Sequence, residues 1–222
     1  MKTTFITAAL CLGLAASASA DTTLDLLETV ADMGTTQVQY DFSGGITATA
    51  IASWLNGQDD GLYWTVMNGK EAPTGSVSPT LTSGSDSYTL SFLNRPWFGG
   101  SVVGIATTIS DTSSLTSLDF SYTEVDNQGG TIYLVYQVGD EWEMKSAAFT
   151  VGSEATISID LSETALSSST VYAVVVTTTG TGGTSETGTI SLTAASSVVP
   201  EPATATLGLL ALGALALRRR RA

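Results

Sequence analysis

The side chains with chemical reach in this chain are carboxylates and aromatic rings. Histidine is absent and the single cysteine is Cys11, which removes the commonest general base, the commonest neutral metal ligand and any second thiol for a disulfide. Ser-His-Asp triads, Cys-His pairs and His-based zinc or iron sites go with them. No G-x-x-x-x-G-K-[ST], G-x-G-x-x-G or G-x-S-x-G pattern occurs, so nucleotide and α/β-hydrolase chemistry lack their usual handles. Carboxylate catalysis survives this pruning. Glu141 and Glu143 alternate onto one face of a predicted strand, about 7 Å apart, within the ~5–9.5 Å a glycosidase pair needs. Solvated charges also occupy such positions at the start of a hairpin arm, and no second acidic cluster surrounds them. A carboxylate glycosidase therefore ranks last of three readings, and no enzyme is expected.

Calcium is the cation to consider next. Asn56, Gln58, Asp60 and Gly61 fall at positions one, three, five and six of a calcium-loop pattern, but Met67 stands at position twelve, where a bidentate glutamate belongs. A polar hairpin loop explains the same residues, so Asn56 and Asp60 are weak calcium candidates and no other cofactor is expected. Asp86, Asp111 and Asp126 lie in other predicted loops and would add ligands only by converging.

Carbohydrate binding needs flat aromatic faces and a few polar groups rather than a catalytic pair. The tryptophans are Trp54, Trp64, Trp97 and Trp142. Trp97 stands in Arg95-Pro96-Trp97-Phe98-Gly99-Gly100, where a rigid proline and two flexible glycines frame the ring and Arg95 is the one arginine between the two chain ends. Arg95, Trp97 and Phe98 are thus candidate ligand-binding residues. The competing reading is preferred on the general burial of large aromatics: Trp97 and Phe98 plug one end of the fold.

The elements that must position these residues read mainly as β-strands. Period-two alternation with β-branched and aromatic residues predicts strands over Gln37–Phe42, Ile46–Leu55, Leu62–Met67, Tyr88–Leu93, Val102–Ile109, Leu115–Thr123, Thr131–Val138, Trp142–Val151, Ala155–Leu161, Val171–Thr178 and Thr187–Thr193. Asn56-Gly57-Gln58-Asp59-Asp60-Gly61 joins two of them, Lys70–Asp86 is a long surface connection, and the D-N-Q-G-G turn at Asp126–Gly130 makes a hairpin of its flanking strands. Val171–Val176 is apolar on both faces and predicts a central strand. Thr22–Met33 predicts a short helix. Short, evenly spaced strands with Gly, Ser, Asn and Asp at the joints point to an all-β fold, an antiparallel β-sandwich of jelly-roll type, over residues 21–195, with 196–199 as a spacer.

The chain ends carry addresses. Lys2, the apolar Phe5–Ala16 and the small-residue site Ala18-Ser19-Ala20 before Asp21 read as a secretory signal peptide over residues 1–20. Cys11 leaves with it. Setting aside Lys2, Glu201 and Arg218–Arg221 leaves three basic residues against 20 acidic ones between Asp21 and Val199, a formal charge of −17. Such a surface favours solubility and repels nucleic acid and anionic lipid.

At the other end, Val199-Pro200-Glu201-Pro202 leads into an apolar run, Ala203–Leu217, which Arg218, Arg219, Arg220 and Arg221 stop. Fifteen residues make a helix of about 22 Å against roughly 30 Å of hydrocarbon. Six leucines at about −0.5 kcal/mol each make insertion marginal, and the arginines hold that end in the cytoplasm. These three parts in order resemble the PEP-CTERM sorting signal of Gram-negative bacteria, over about the last 25 residues, Val198–Ala222. The resemblance implies recognition of Pro200, Glu201 and Pro202 by an exosortase, a membrane-embedded cysteine peptidase, after signal peptidase has acted. It also implies transient membrane holding by the 203–217 helix, delivery to the cell surface or extracellular matrix, and association with extracellular polysaccharide. The combined expectation is an exported surface protein with a structural or interaction role. A carbohydrate-binding module is the alternative.

Overall fold

The computed structural model describes residues 27–30, 32, 34–71, 78–84, 87–109, 112, 115–161, 166, 170–177 and 182–196. Ala18, Ala20 and Asp21, Asp86 and Asp111, Pro200–Pro202, the 203–217 segment and Arg218–Arg221 lie outside them. No helix among the described residues is long and apolar enough to cross a membrane.

Eleven strands are described: β1 (Thr35–Gln37), β2 (Gly61–Val66), β3 (Thr80–Ser83), β4 (Tyr88–Leu93), β5 (Ser101–Thr108), β6 (Leu115–Glu124), β7 (Gly130–Val138), β8 (Glu141–Phe149), β9 (Glu154–Asp160), β10 (Thr170–Thr177) and β11 (Ser185–Ser196). They form a six-stranded sheet, β1-β2-β5-β10-β7-β8, and a five-stranded sheet, β3-β4-β11-β6-β9. Every pairing is antiparallel except β1 with β2. The β-sandwich expected from the alternation is therefore present. Its main core lies between the sheets, where Trp64, Ile105, Leu134 and Val175 of one meet Phe92, Phe120, Ile157 and Leu192 of the other.

A second apolar layer covers the outer face of the six-stranded sheet. It is built on helix α1 (Ala48–Leu55), whose Ile51, Ala52, Trp54 and Leu55 are buried with Phe42, Tyr63, Tyr172, Val174 and Val176. This layer explains β10: it runs between β5 and β7 and is buried on both faces, as its uninterrupted apolar run predicts. The outer face of the five-stranded sheet stays wet, and on β9 every second residue, from Glu154 to Asp160, is exposed.

Four expectations are corrected. Ile46–Leu55 is not a strand, because Thr47 caps a helix by accepting from the Ala50 N–H (3.1 Å) and the apolar residues recur at helical spacing. Asn56–Gly61 accordingly joins a helix to β2, and Asn56 closes the helix by donating to the Ala52 carbonyl (2.7 Å). The D-N-Q-G-G segment is no hairpin turn: β6 and β7 belong to different sheets, and it carries the chain across the sandwich. Gln37–Phe42 pairs as a strand only at its start, in β1, with one further bridge from Asp41 to Asn68, and the Lys70–Asp86 connection contains β3. Residues 27–30 are helical, and Leu27 and Val30 enter the main core.

Candidate functional site

Four connections meet at one end of the sandwich, because β4, β6, β8 and β10 finish there and β5, β7, β9 and β11 start there. The first is the Arg95–Gly100 turn, with Pro96–Phe98 as one turn of 3-10 helix. Its backbone closes on itself: the Arg95 carbonyl accepts from the N–H groups of Phe98 (2.9 Å) and Gly100 (3.2 Å), and Gly99 N–H donates to Pro96 (3.0 Å). Gly99 stands at φ +81°, a conformation other residues rarely adopt. Arg95 N–H donates to Ser101 Oγ (3.1 Å), and the Phe98 carbonyl accepts from Asn68 N–H (3.2 Å).

A turn so satisfied has no need of its own side chain as an anchor. Trp97 is 82% exposed, which overturns the plugging role preferred for it. Phe98 and Arg95 are half-buried. Gly182 and Gly183 pass beside the Trp97 and Arg95 side chains; a Cβ on them would lie 3.6 Å from Trp97 Nε1 and 3.5 Å from Arg95 Nη1. The other exposed large apolar residues among those described, Val125 and Val151 at 57% and 56%, lie in two further connections at this end.

Beneath the turn runs a dry polar chain that reading the sequence missed. Asn94 Nδ2 donates to Gln128 Oε1 (2.9 Å), Gln128 Nε2 donates to Thr184 Oγ1 (2.7 Å), and Gln128 N–H donates to Glu124 Oε1 (3.0 Å). Glu124 Oε2 accepts from Gly152 N–H (3.1 Å). Glu186, on β11, is buried with them. Burial pushes its carboxyl up to about 8; Glu124 and Asp126 act the same way, while the Asn94 amide opposes them. The Tyr122 hydroxyl, buried alongside, is pushed up by burial first and by Glu186, Glu124 and Asp126 after it. Of the three loop aspartates that would add ligands only by converging, Asp126 alone is described, and it stands at the rim of this cluster.

The other candidates lie elsewhere. Asn56, Gln58 and Asp60 are at the opposite end, where the Tyr63 hydroxyl donates to the Asp59 carbonyl, and no group of three acidic side chains able to hold a metal ion occurs among the described residues. Glu141 and Glu143 are exposed on β8, the edge strand of its sheet. Between them Trp142 turns to the other face and stacks on Tyr172, with centroids 5.3 Å apart and planes 20° apart. Trp54 and Trp64 are core residues.

Residues 198–221 match the model of the PEP-CTERM protein-sorting motif. The C-terminal tail is a PEP-CTERM sorting signal. It marks an exported protein that an exosortase processes at the membrane of a Gram-negative cell. No curated protein matches the chain. Among solved structures, the chain is similar to TmCBM61 in complex with β-1,4-galactotriose (11% identity, TM-score 0.37, 60% of this chain and 88% of that one). It is also similar to the family 11 carbohydrate-binding module of Clostridium thermocellum in complex with a mixed-linked tetrasaccharide (13%, TM-score 0.34, 60% and 88%). A third is the enzymatically active domain of bacteriophage CBA120 tailspike protein 4 (11%, TM-score 0.39, 65% and 20%).

Proposed function

We propose that this PEP-CTERM protein is a non-catalytic surface protein whose sandwich makes contact with extracellular polysaccharide through the loop end that displays Trp97. The observation that carries the reading is the exposed indole on a turn whose backbone hydrogen bonds are closed. Leaving a large ring in water forgoes the stabilisation its burial would bring, and a flat face held at fixed geometry suits the C–H face of a sugar ring. Arg95 beside it supplies hydrogen-bond donors for hydroxyl or carboxylate groups. The acidic body disfavours nucleic acid and anionic lipid as partners.

From β4 to β11 the chain changes sheet at every step except the β7–β8 hairpin, and this order supports the jelly-roll reading of the sandwich. The division proposed is a signal peptide at 1–20, the sandwich at 21–195, a spacer at 196–199 and the sorting signal at 200–222, with 203–217 spanning the membrane until processing. Signal peptidase and exosortase are its processing partners. Mass spectrometry of the mature protein is expected to find the N-terminus at Asp21 and a C-terminus near Pro200–Pro202. An intact Ala222 would show a plain anchor instead.

Trp97→Ala is expected to lower retention on immobilised glycans about tenfold or more, while thermal stability changes by less than about 0.5 kcal/mol because the ring is exposed. Unchanged retention would leave a purely structural surface role. Unfolding would show that the ring belongs to the core.

A further inference from the structure

The buried polar chain ends in oxygens that are short of well-formed donors. β11 enters opposite β4, with Glu186 across from Phe92, and reaches β6 two residues later, with Gly188 across from Glu124. Glu124 and Glu186 both point into the sandwich and are 0% exposed. The two N–H donors on Glu124 hold it as a fixed acceptor. Neither oxygen of Glu186 has a well-formed hydrogen bond, and the donor that acts on it, the Asn94 amide, already donates to Gln128. A second orphan faces the same space from another strand: the Tyr122 hydroxyl is buried without a partner, and its ring end lies over Gly188, where a Cβ would overlap it. Among the described residues, the groups that displace the Glu186 carboxyl are acidic or amide side chains, Glu124, Asn94 and Asp126.

Two adjacent dry carboxylates with more lone pairs than donors are stabilised by a positive partner, and a proton on Glu186 serves where no cation is bound. We propose that Glu186 and Glu124 hold a calcium ion, with the Tyr122 hydroxyl lining the site. All the donors present are hard oxygens, which suits calcium and offers nothing that zinc or copper prefers. Calcium tolerates irregular coordination by six to eight oxygens, and water or backbone carbonyls supply the remainder. One divalent ion neutralises the two carboxylates, so the site needs no third acidic ligand, and Asp126 at the rim adds favourable field. The ion would tie the end of β6 to the start of β11 beneath the Arg95–Gly100 turn. This site does not depend on glycan binding, and it lies at the end opposite Asn56 and Asp60.

Equilibrium dialysis of the purified full-length chain, first stripped with chelator, tests the assignment with calcium itself. The expected result is one bound calcium per chain and a rise in Tm of about 5–10 °C when calcium exceeds its Kd a hundredfold. Glu186→Gln, a neutral amide of the same shape, is expected to abolish both, whereas Asp60→Asn keeps both. Tyr122→Phe retains the ring and is expected to weaken binding severalfold, which locates the ion even where Glu186→Gln does not fold. No bound calcium in the unaltered chain overturns the proposal, as does full binding in Glu186→Gln or loss of it in Asp60→Asn.

Discussion

Trp54→Ala is expected to cost about 3–5 kcal/mol of folding stability, the range for removing a buried aromatic from a packed site. Trp54 is 2% exposed on α1. Its ring meets Phe42 edge-on, with centroids 5.4 Å apart at 87°, and its Nε1 donates to the Val38 carbonyl (2.8 Å). On its other side it lies so close to Gly104 that a Cβ there would sit 2.7 Å from the ring. Truncation therefore removes apolar burial, leaves a cavity over β5 that the fixed sheet fills poorly, and strips the Val38 carbonyl of a donor. The measurement is the urea midpoint at unchanged m-value. A loss below about 1 kcal/mol would show that the helical layer adds little to the sandwich.

That helix is also where the sequence misleads. Ile46-Thr47-Ala48-Thr49-Ala50 alternates apolar and polar residues and imitates a half-buried strand. The competing signal was available: Thr47 as cap, three alanines, and Ile51, Trp54 and Leu55 at offsets of three and four. Elsewhere period two was reliable on the five-stranded sheet, because that sheet has one dry and one wet face. Tyr88–Leu93 was legible this way, whereas the centrality of β10 was legible in its uninterrupted apolar run. Alternation says nothing about which sheet a strand joins, so Asp126–Gly130 read as a hairpin turn when it crosses the sandwich.

The site was half legible for related reasons. Arg95, Trp97 and Phe98 were marked by their composition, but general burial statistics placed Trp97 inside, and only the closed hydrogen bonds of the turn explain its exposure. Glu124 and Glu186 belong to no motif and stand near strand ends, where acidic residues are common. Their parity held the clue: Leu118, Phe120 and Tyr122 share a face with Glu124, and Ile190 and Leu192 share one with Glu186. Charges in phase with a buried stripe are uncommon, and here two of them meet.

With calcium removed by chelator, stability is expected to fall as pH rises from about 4.5 to about 8. In the unfolded chain Glu186 loses its proton near the ordinary 4.5, whereas in the fold it keeps the proton until about 8, because burial first and Glu124 next disfavour its charge. Below that window both states hold the proton and the full stability is present. Within it the unfolded chain binds fewer protons than the folded one, so each step up in pH favours unfolding; above it both are ionised and the loss is complete. At about 1.4 kcal/mol per unit, discounted for solvent screening at the loop end, the loss is ~2–3 kcal/mol. Asp126 and Tyr122 face the same space, but the window belongs to Glu186, the carboxyl displaced across it. The direction opposes ordinary acid denaturation, in which paired carboxylates lose stability as pH falls. Urea midpoints across this range, compared with Glu186→Gln, provide the check. The amide variant is expected to give a flatter profile and to be the more stable protein near pH 8, and an equal slope in both proteins would place the titrating group elsewhere.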